Sequence, residues 1–119
     1  MVFDLDFLHA EFDRAGYRHR IPRRAGVCTM DQSRIYLTEG RHNLQACLER
    51  ANILPGHKHR ALADATGSAR LLATYLDLER SGRRATDVAQ SRTGETILPA
   101  EWLRAIPVAA RTEWPSFQV

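Results

Sequence analysis

A histidine and an aspartate that lie five residues apart, His59 and Asp64, have the types and spacing best suited to catalysis in this chain. They occur in the segment His59-Arg-Ala-Leu-Ala-Asp64-Ala, where a basic loop meets the start of a predicted helix. If that helix begins near Arg60, Asp64 falls in its first turns and His59 lies on the preceding loop, free to reach the same site. A carboxylate that can hold a metal ion beside a base that can activate water is hydrolase chemistry. A chance loop histidine beside a helix-start aspartate explains the pair equally well.

The helix that would position Asp64 is the longest one that the sequence predicts, from about residue 60 to 80. Small residues, alanine above all, fill its first half, which favours close packing against another element. Its buried stripe is expected at Leu62, Ala65, Ala69, Leu72 and Leu76. A purely structural role explains this helix well. It does not explain Asp64 among those small residues unless that side of the helix is exposed to solvent or binds a metal ion.

A second amphipathic helix is predicted near the N-terminus, over residues 2–16, with Gly16 as its stop. The residues on its apolar side are Phe3, Phe7, Leu8 and Phe12. The stretch over residues 17–26 is basic and contains Pro22, so we expect a loop there.

Two shorter helices are predicted between this loop and the long helix. A short strand over residues 26–29 is expected to lead into the first, which Thr29 or Asp31 would cap and Gly40 would break. The second covers residues 43–51.

Beyond residue 80 the composition changes. Residues 81–96 are rich in Ser, Thr, Gly and Arg, which predicts a flexible linker. A short helix is expected around residues 99–105, and the two tryptophans, Trp102 and Trp114, would dock either on the domain or on a partner. The sequence therefore predicts a domain over residues 1–80, followed by a linker and C-terminal tail over residues 81–119.

The composition, with 44% hydrophobic and 26% charged residues, is typical of one globular domain at a length of 119 residues. The sequence has no apolar run of about 18 residues and no signal peptide, so we expect no membrane partner and a cytoplasmic location. Cys28 and Cys47 are isolated and are expected to be reduced thiols.

The net charge of +3 permits a polyanionic partner. Arginine, which suits phosphate, supplies almost all of the basic residues, but genomic base composition explains that bias equally well.

Three segments in a fixed order carry a family resemblance. They are Phe3-Asp-Leu-Asp-Phe-Leu8, His42-Asn-Leu-Gln-Ala-Cys-Leu48 with Ile53 downstream, and His59-Arg-Ala-Leu-Ala-Asp64-Ala. Together they resemble the DnaQ-like 3′–5′ exonucleases of the DEDDh type, the group that includes the epsilon proofreading subunit of bacterial DNA polymerase III. Each segment alone is weak, but their combination over residues 2–80 is specific.

The resemblance implies a catalytic site. Asp4 and Asp64 would be carboxylate ligands of Mg²⁺ or Mn²⁺, and His59 would be the general base that takes a proton from the attacking water. A two-metal site stabilises the attacking and leaving oxygens in phosphodiester hydrolysis. The implied substrate is a 3′ end of single-stranded DNA or RNA, and a DNA polymerase subunit is a further implied partner. Lys58 and Arg60, and the loop over residues 18–24, would contact phosphate, although solvated surface charge explains both loops more simply.

The implied fold is an α/β, ribonuclease H-like sheet covered by helices, of which this chain would be the mostly helical C-terminal portion. A complete domain of the family opens with a strand that carries Asp-x-Glu and supplies the other metal ligands, whereas this sequence starts at the second motif. Asp4-Leu-Asp6 is not that opening motif, because the apolar residues around it repeat as a helix, and Asp6 is expected to face solvent. A truncated gene or a start codon assigned too late would explain the difference.

Two consequences are expected. With only part of its carboxylates the site would bind divalent ions poorly, so the isolated chain would be a weak or inactive nuclease. The helices over residues 2–16 and 60–80 would also lack the sheet that their apolar faces cover in the family.

Two other functions fit the sequence. A non-catalytic remnant would bind nucleic acid or a polymerase through its arginines and tryptophan-bearing tail, with salt-sensitive affinity and no metal-dependent cleavage. A small helical interaction module with a chance resemblance would be indifferent to magnesium and to loss of Asp4, His59 or Asp64.

Overall fold

The computed structural model describes residues 2–37, 39–54 and 61–113, with side chains described from Leu5 onward. Its elements in chain order are α1 (Val2–Arg14), a 3₁₀ helix (Arg23–Ala25), α2 (Thr29–Tyr36), α3 (Leu44–Arg50), α4 (Ala61–Arg80), β1 (Ala89–Gln90), β2 (Thr96–Ile97) and α5 (Trp102–Arg111). In the part described, the fold is mixed α/β, mostly helical with one two-stranded sheet. None of the described helices is long and apolar enough to cross a membrane.

The chain forms two compact units. Unit 1 combines Met1–Val27 with Glu101–Val119, and unit 2 is the continuous stretch Cys28–Ala100. The predicted division into a domain over residues 1–80 and a linker and tail over residues 81–119 rests on composition and motif order, and it stays a prediction.

Unit 1 contains α1, a basic loop, the 3₁₀ helix and α5. α1 ends at Arg14, and Gly16, the predicted stop, follows it with a φ of +87°, so that the Tyr17 N–H donates to the Phe12 carbonyl at 2.8 Å. The 3₁₀ helix packs against α5, in which Trp102 is buried. Trp102 is therefore not available to a partner, while Trp114 lies outside the described residues.

The buried side of α1 agrees with the prediction at Phe12 and differs from it at Phe7 and Leu8, while the side chain of Phe3 lies outside the description. Phe7 is 65% exposed and Leu8 is 44% exposed, whereas Leu5 is buried. Leu5, His9 and Phe12 follow helical spacing and are the residues turned away from solvent. His9 belongs on this side because its Nε2 accepts a hydrogen bond from the Ile21 N–H at 2.9 Å, which a pattern of apolar residues does not reveal.

Unit 2 has its core where α2, α3 and α4 meet. The buried residues of this core are Ile35, Tyr36, Cys47, Leu48, Leu71 and Tyr75. The rings of Tyr36 and Tyr75 stack with their centroids 5.2 Å apart, and the Tyr75 hydroxyl donates to the Thr29 carbonyl at 3.1 Å. The core thus buries the apolar ring of Tyr75, while the Tyr75 hydroxyl keeps a hydrogen-bond partner.

The predicted stripe of α4 is wrong over its first two turns. Leu62 is 81% exposed, and Ala65 and Ala69 are exposed as well. The helix instead buries Gly67, Leu71 and Tyr75, which lie four residues apart. Gly67 allows close approach, because a Cβ there would lie 3.2 Å from Leu48 Cδ1. Glycine and tyrosine carry little weight in a hydrophobic pattern, so the pattern selected the wrong side.

The expectation of a linker over residues 81–96 is wrong where a hairpin forms. β1 and β2 pair antiparallel, with Ala89 opposite Ile97, and Ile97 is buried. Both strands contact α2, and the buried Gln32 donates from Nε2 to the Leu98 carbonyl at 2.9 Å. The composition predicted flexibility because it does not reveal the contacts that hold the hairpin, which come from α2, a helix distant in the sequence.

The first of the two short helices starts differently from the prediction, and the second forms where it was predicted. α2 begins at Thr29 without the predicted strand before it, and its N-cap is Cys28, whose Sγ accepts from the Asp31 N–H at 3.5 Å. α3 forms where it was predicted, and Asn43 caps it by accepting the Ala46 N–H at 2.8 Å.

Candidate functional site

Asp64 lies where the sequence predicted, in the first turn of α4 as described. Its side chain is exposed, and none of the ion pairs among the described residues includes it. An acidic residue at this end of a helix interacts favourably with the helix dipole, which gives Asp64 an ordinary structural role. The same exposure makes the carboxylate accessible to a cation.

The other predicted site residues are described less fully. His59, Lys58 and Arg60 lie outside the described residues. Asp4 lies in the first turn of α1, and its side chain is also outside the description. Asp4 belongs to unit 1 and Asp64 to unit 2, so the proposed ligands come from different units of the chain.

No complete metal site occurs in the part of the chain that the structure describes. Among those residues, no group of three or more histidine, cysteine, aspartate or glutamate side chains could hold a metal ion. Asp64 fits Mg²⁺ or Mn²⁺ as one hard oxygen ligand, and it would need carboxylates from elsewhere to complete the site.

The one Asp-x-Glu sequence in the chain, Asp77-Leu-Glu79, does not supply these carboxylates. It lies in the last turns of α4 rather than on a strand. Both carboxylate oxygens of Glu79 accept hydrogen bonds from Arg84, and Oε1 also accepts one from the Tyr36 hydroxyl, so both oxygens are already engaged within unit 2. Glu79 is a structural residue that attaches the segment after α4 to α2.

A contact in unit 2 between a buried serine and a partly buried histidine was not found from the sequence. His42 Nδ1 lies 2.6 Å from Ser33 Oγ, and Ser33 Oγ donates its one hydrogen to the Met30 carbonyl at 2.5 Å. With the Ser33 hydrogen on the Met30 carbonyl, His42 must donate to Ser33 from Nδ1, which both the neutral Nδ1–H tautomer and the protonated ring can do. Burial, together with the charges of Arg34 and Arg50, lowers the pKa of His42. Because Ser33 is fully buried and its proton is engaged elsewhere, the pair is not an activated nucleophile.

Arg50 clamps the loop between α2 and α3. Its Nη2 donates to the Arg41 carbonyl, and its Nε and Nη1 are buried without a hydrogen-bond partner among the described residues. Gly40 covers this guanidinium with a φ of +82°, and a Cβ there would lie 2.7 Å from Nη1. An external anion cannot reach these buried donors in this conformation.

The resemblance to the DnaQ-like exonucleases rests on the residues of this chain alone. No family model, no curated protein and no solved structure matches this chain. The motif residues Asp4, His59 and Asp64, with the described geometry around Asp64, are therefore the whole basis for a functional conclusion.

Proposed function

We propose that this chain carries part of the site of a metal-dependent 3′–5′ exonuclease of the DnaQ-like, DEDDh type, on a ribonuclease H-like fold. The observation that carries the proposal is the position of Asp64, exposed in the first described turn of α4 and five residues after His59. A carboxylate fixed by a helix is one part of the motif, and His59 supplies the other part, a base that precedes it in the sequence.

The exposed apolar side chains of α1 and α4 support the same proposal. Phe7 on α1 and Leu62 on α4 belong to the faces that cover a sheet in the exonucleases, and both are largely exposed. Exposed large apolar side chains also occur outside the motifs, at Leu98, Leu103 and Ile106, so this support is secondary to the position of Asp64.

In the proposed mechanism each residue has one task. Asp4 and Asp64 bind the divalent ions, which when bound stabilise the attacking and leaving oxygens of the phosphodiester. His59 would take the proton from the attacking water.

Metal binding by Asp64 is the first test. In ¹⁵N-labelled protein, substoichiometric Mn²⁺ is expected to broaden the amide signals at the start of α4, and Asp64→Asn should remove that broadening. Asp77→Asn is the matched control, because Asp77 is an exposed aspartate on the same helix. Broadening that survives in Asp64→Asn, or that is equally strong around Asp77, would contradict the proposed metal ligand.

Exonuclease activity is the second test. With Mn²⁺ and a 5′-labelled single strand, we expect slow shortening from the 3′ end, reduced about 100-fold in His59→Ala and in Asp64→Asn and unchanged in Asp77→Asn. Cleavage that does not depend on Asp64, or that begins inside the strand, would overturn the proposed reaction. If Mn²⁺ binds through Asp64 but no strand is shortened, this chain by itself is not an exonuclease.

A further inference from the structure

The segment that follows α1 and ends with the 3₁₀ helix is the most basic segment of unit 1. Residues 17–25, which we name the arginine loop, contain four arginines and no acidic residue. No acidic residue occurs between Asp13 and Asp31. In a solvated surface loop without a binding role, such charges are usually mobile and interspersed with acids.

The arginine loop is instead held in place by several contacts. The Ile21 N–H donates to His9 Nε2 at 2.9 Å, and the His19 ring meets the edge of Phe12 with centroids 5.4 Å apart. Arg20 forms two hydrogen bonds with the Asp13 carboxylate, at 2.9 and 3.0 Å. The end of the loop is the 3₁₀ helix, which packs against α5. The backbone that carries the arginines is therefore ordered before any ligand arrives.

These tethers pair one arginine of the loop with a carboxylate and leave the other three without an ion pair among the described residues. Arg20 is paired with Asp13, and Arg18 also acts on the Asp13 carboxyl, although no ion pair joins them. Arg23 and Arg24 are exposed on the 3₁₀ helix, and neither forms an ion pair with another described residue. Two adjacent guanidinium groups on an ordered turn thus have no internal counter-ion in the described part of the chain.

The neighbouring helix does not neutralise this charge. α5 contributes Arg104 and Arg111, and the one acidic residue that pairs with either of them in the described chain is Glu101, which lies 3.5 Å from Arg104. The surface formed by the 3₁₀ helix and α5 therefore carries an excess of positive charge.

We propose that the arginine loop binds the phosphodiester backbone of single-stranded nucleic acid, with Arg23 and Arg24 as phosphate contacts. Planar guanidinium groups form paired hydrogen bonds with phosphate oxygens, and an ordered loop loses little conformational entropy when it binds. An acidic protein is the competing ligand class. Nucleic acid is the class that the proposed function supplies, and the paired donors of each guanidinium match the oxygens of a phosphate.

The identity of the anion as nucleic acid rests on the proposed function, whereas the phosphate contact itself needs neither Asp64 nor a metal ion. Binding can therefore be measured in EDTA, where no metal-dependent cleavage occurs. Failure of the exonuclease proposal and failure of this one are then separate results.

The experiment is a fluorescence-anisotropy titration of a 5′-labelled 20-nucleotide oligothymidylate in EDTA. It compares the full chain with Arg23→Gln/Arg24→Gln and with a control, Arg80→Gln/Arg92→Gln, which removes two exposed arginines of unit 2. We expect the loop variant to bind about tenfold more weakly and to reduce the slope of log K against log salt by about 1.4. The control and Asp64→Asn should bind like the unmodified chain.

Three results would overturn the proposal. The first is an equal loss of affinity in the loop variant and the Arg80/Arg92 control, which would indicate general surface charge. The second is unchanged affinity in the loop variant, provided that circular dichroism shows the same fold. The third is displacement of the oligonucleotide by poly-glutamate as effectively, per charge, as by unlabelled oligothymidylate, which would favour an acidic protein as the ligand.

Discussion

At the scale of single residues, the structure shows polar side chains that are fixed by one or two partners inside unit 2. His42 donates to Ser33, and its ring is partly buried beside two cations, Arg34 and Arg50. Both the burial and the two charges disfavour the protonated ring, so the folded chain keeps His42 neutral to a lower pH than the unfolded chain does.

This predicts a pH dependence of stability that comes from His42. The unfolded chain takes up a proton near the ordinary histidine pKa of about 6.5, while the folded chain does not until the pH is lower. The free energy of unfolding should therefore fall as the pH drops below about 6.5. Urea denaturation at pH 7.5 and pH 5.5 measures this fall, which should be smaller in His42→Gln. An equal fall in both proteins would show that His42 is not the cause.

The Tyr36 hydroxyl provides a second residue-scale prediction. It accepts the Ala100 N–H at 3.1 Å and donates to Glu79 at 3.3 Å, and burial is the main reason that its pKa rises to about 12. Tyr36→Phe should lower the free energy of unfolding by about 1–2 kcal/mol, because the Ala100 N–H loses its acceptor. Chemical denaturation at pH 7 measures the loss, and a change below about 0.5 kcal/mol would contradict this account.

At the scale of elements, the packing of α4 on α3 depends on one glycine. Gly67 lies under Leu48, and a Cβ would meet Leu48 Cδ1 and Cδ2 at 3.2 and 3.3 Å. Leu48 is buried, so it has little room to move away. The cost of this contact opposes the gain in helix propensity that alanine normally gives over glycine, about 1 kcal/mol.

A double-mutant cycle separates the two effects. Gly67→Ala should be neutral or destabilising in the native sequence, but it should stabilise a Leu48→Ala background by about 1 kcal/mol because the obstruction is gone. The measurement is the free energy of unfolding of all four proteins in urea. If Gly67→Ala has the same effect in both backgrounds, the two side chains do not interact.

At the scale of the whole molecule, large apolar side chains are divided between a small core and the surface. Leu71 is fully buried in unit 2, whereas Leu62 on the same helix is 81% exposed. This contrast makes the position of the core testable by two substitutions on one helix.

Leu71→Ala should lower the free energy of unfolding by about 2–5 kcal/mol, because it leaves a cavity between packed helices. Leu62→Gln should change it by less than about 0.5 kcal/mol, since the side chain already contacts water. Thermal or urea denaturation of the full chain measures both. A large loss in Leu62→Gln would mean that this side chain is covered by protein in solution, for example by a second copy of the chain.

The sequence by itself determined the helices and the ends that depend on neighbouring residues. The stop at Gly16, the Asn43 cap and the first-turn position of Asp64 all follow from local backbone chemistry within one turn. It also supplied the motif residues Asp4, His59 and Asp64, whose proposed role depends on residue type and order rather than on packing.

The tertiary structure alone decided which side of each helix is buried. A periodic pattern shows that a helix has an apolar side, but Gly67 and Tyr75 on α4 and His9 on α1 are buried for reasons that involve distant partners. The hairpin of β1 and β2 likewise depends on contacts with α2, far away in the sequence. Contacts of this kind join residues that are far apart in the sequence, so only tertiary packing determines which residues are buried.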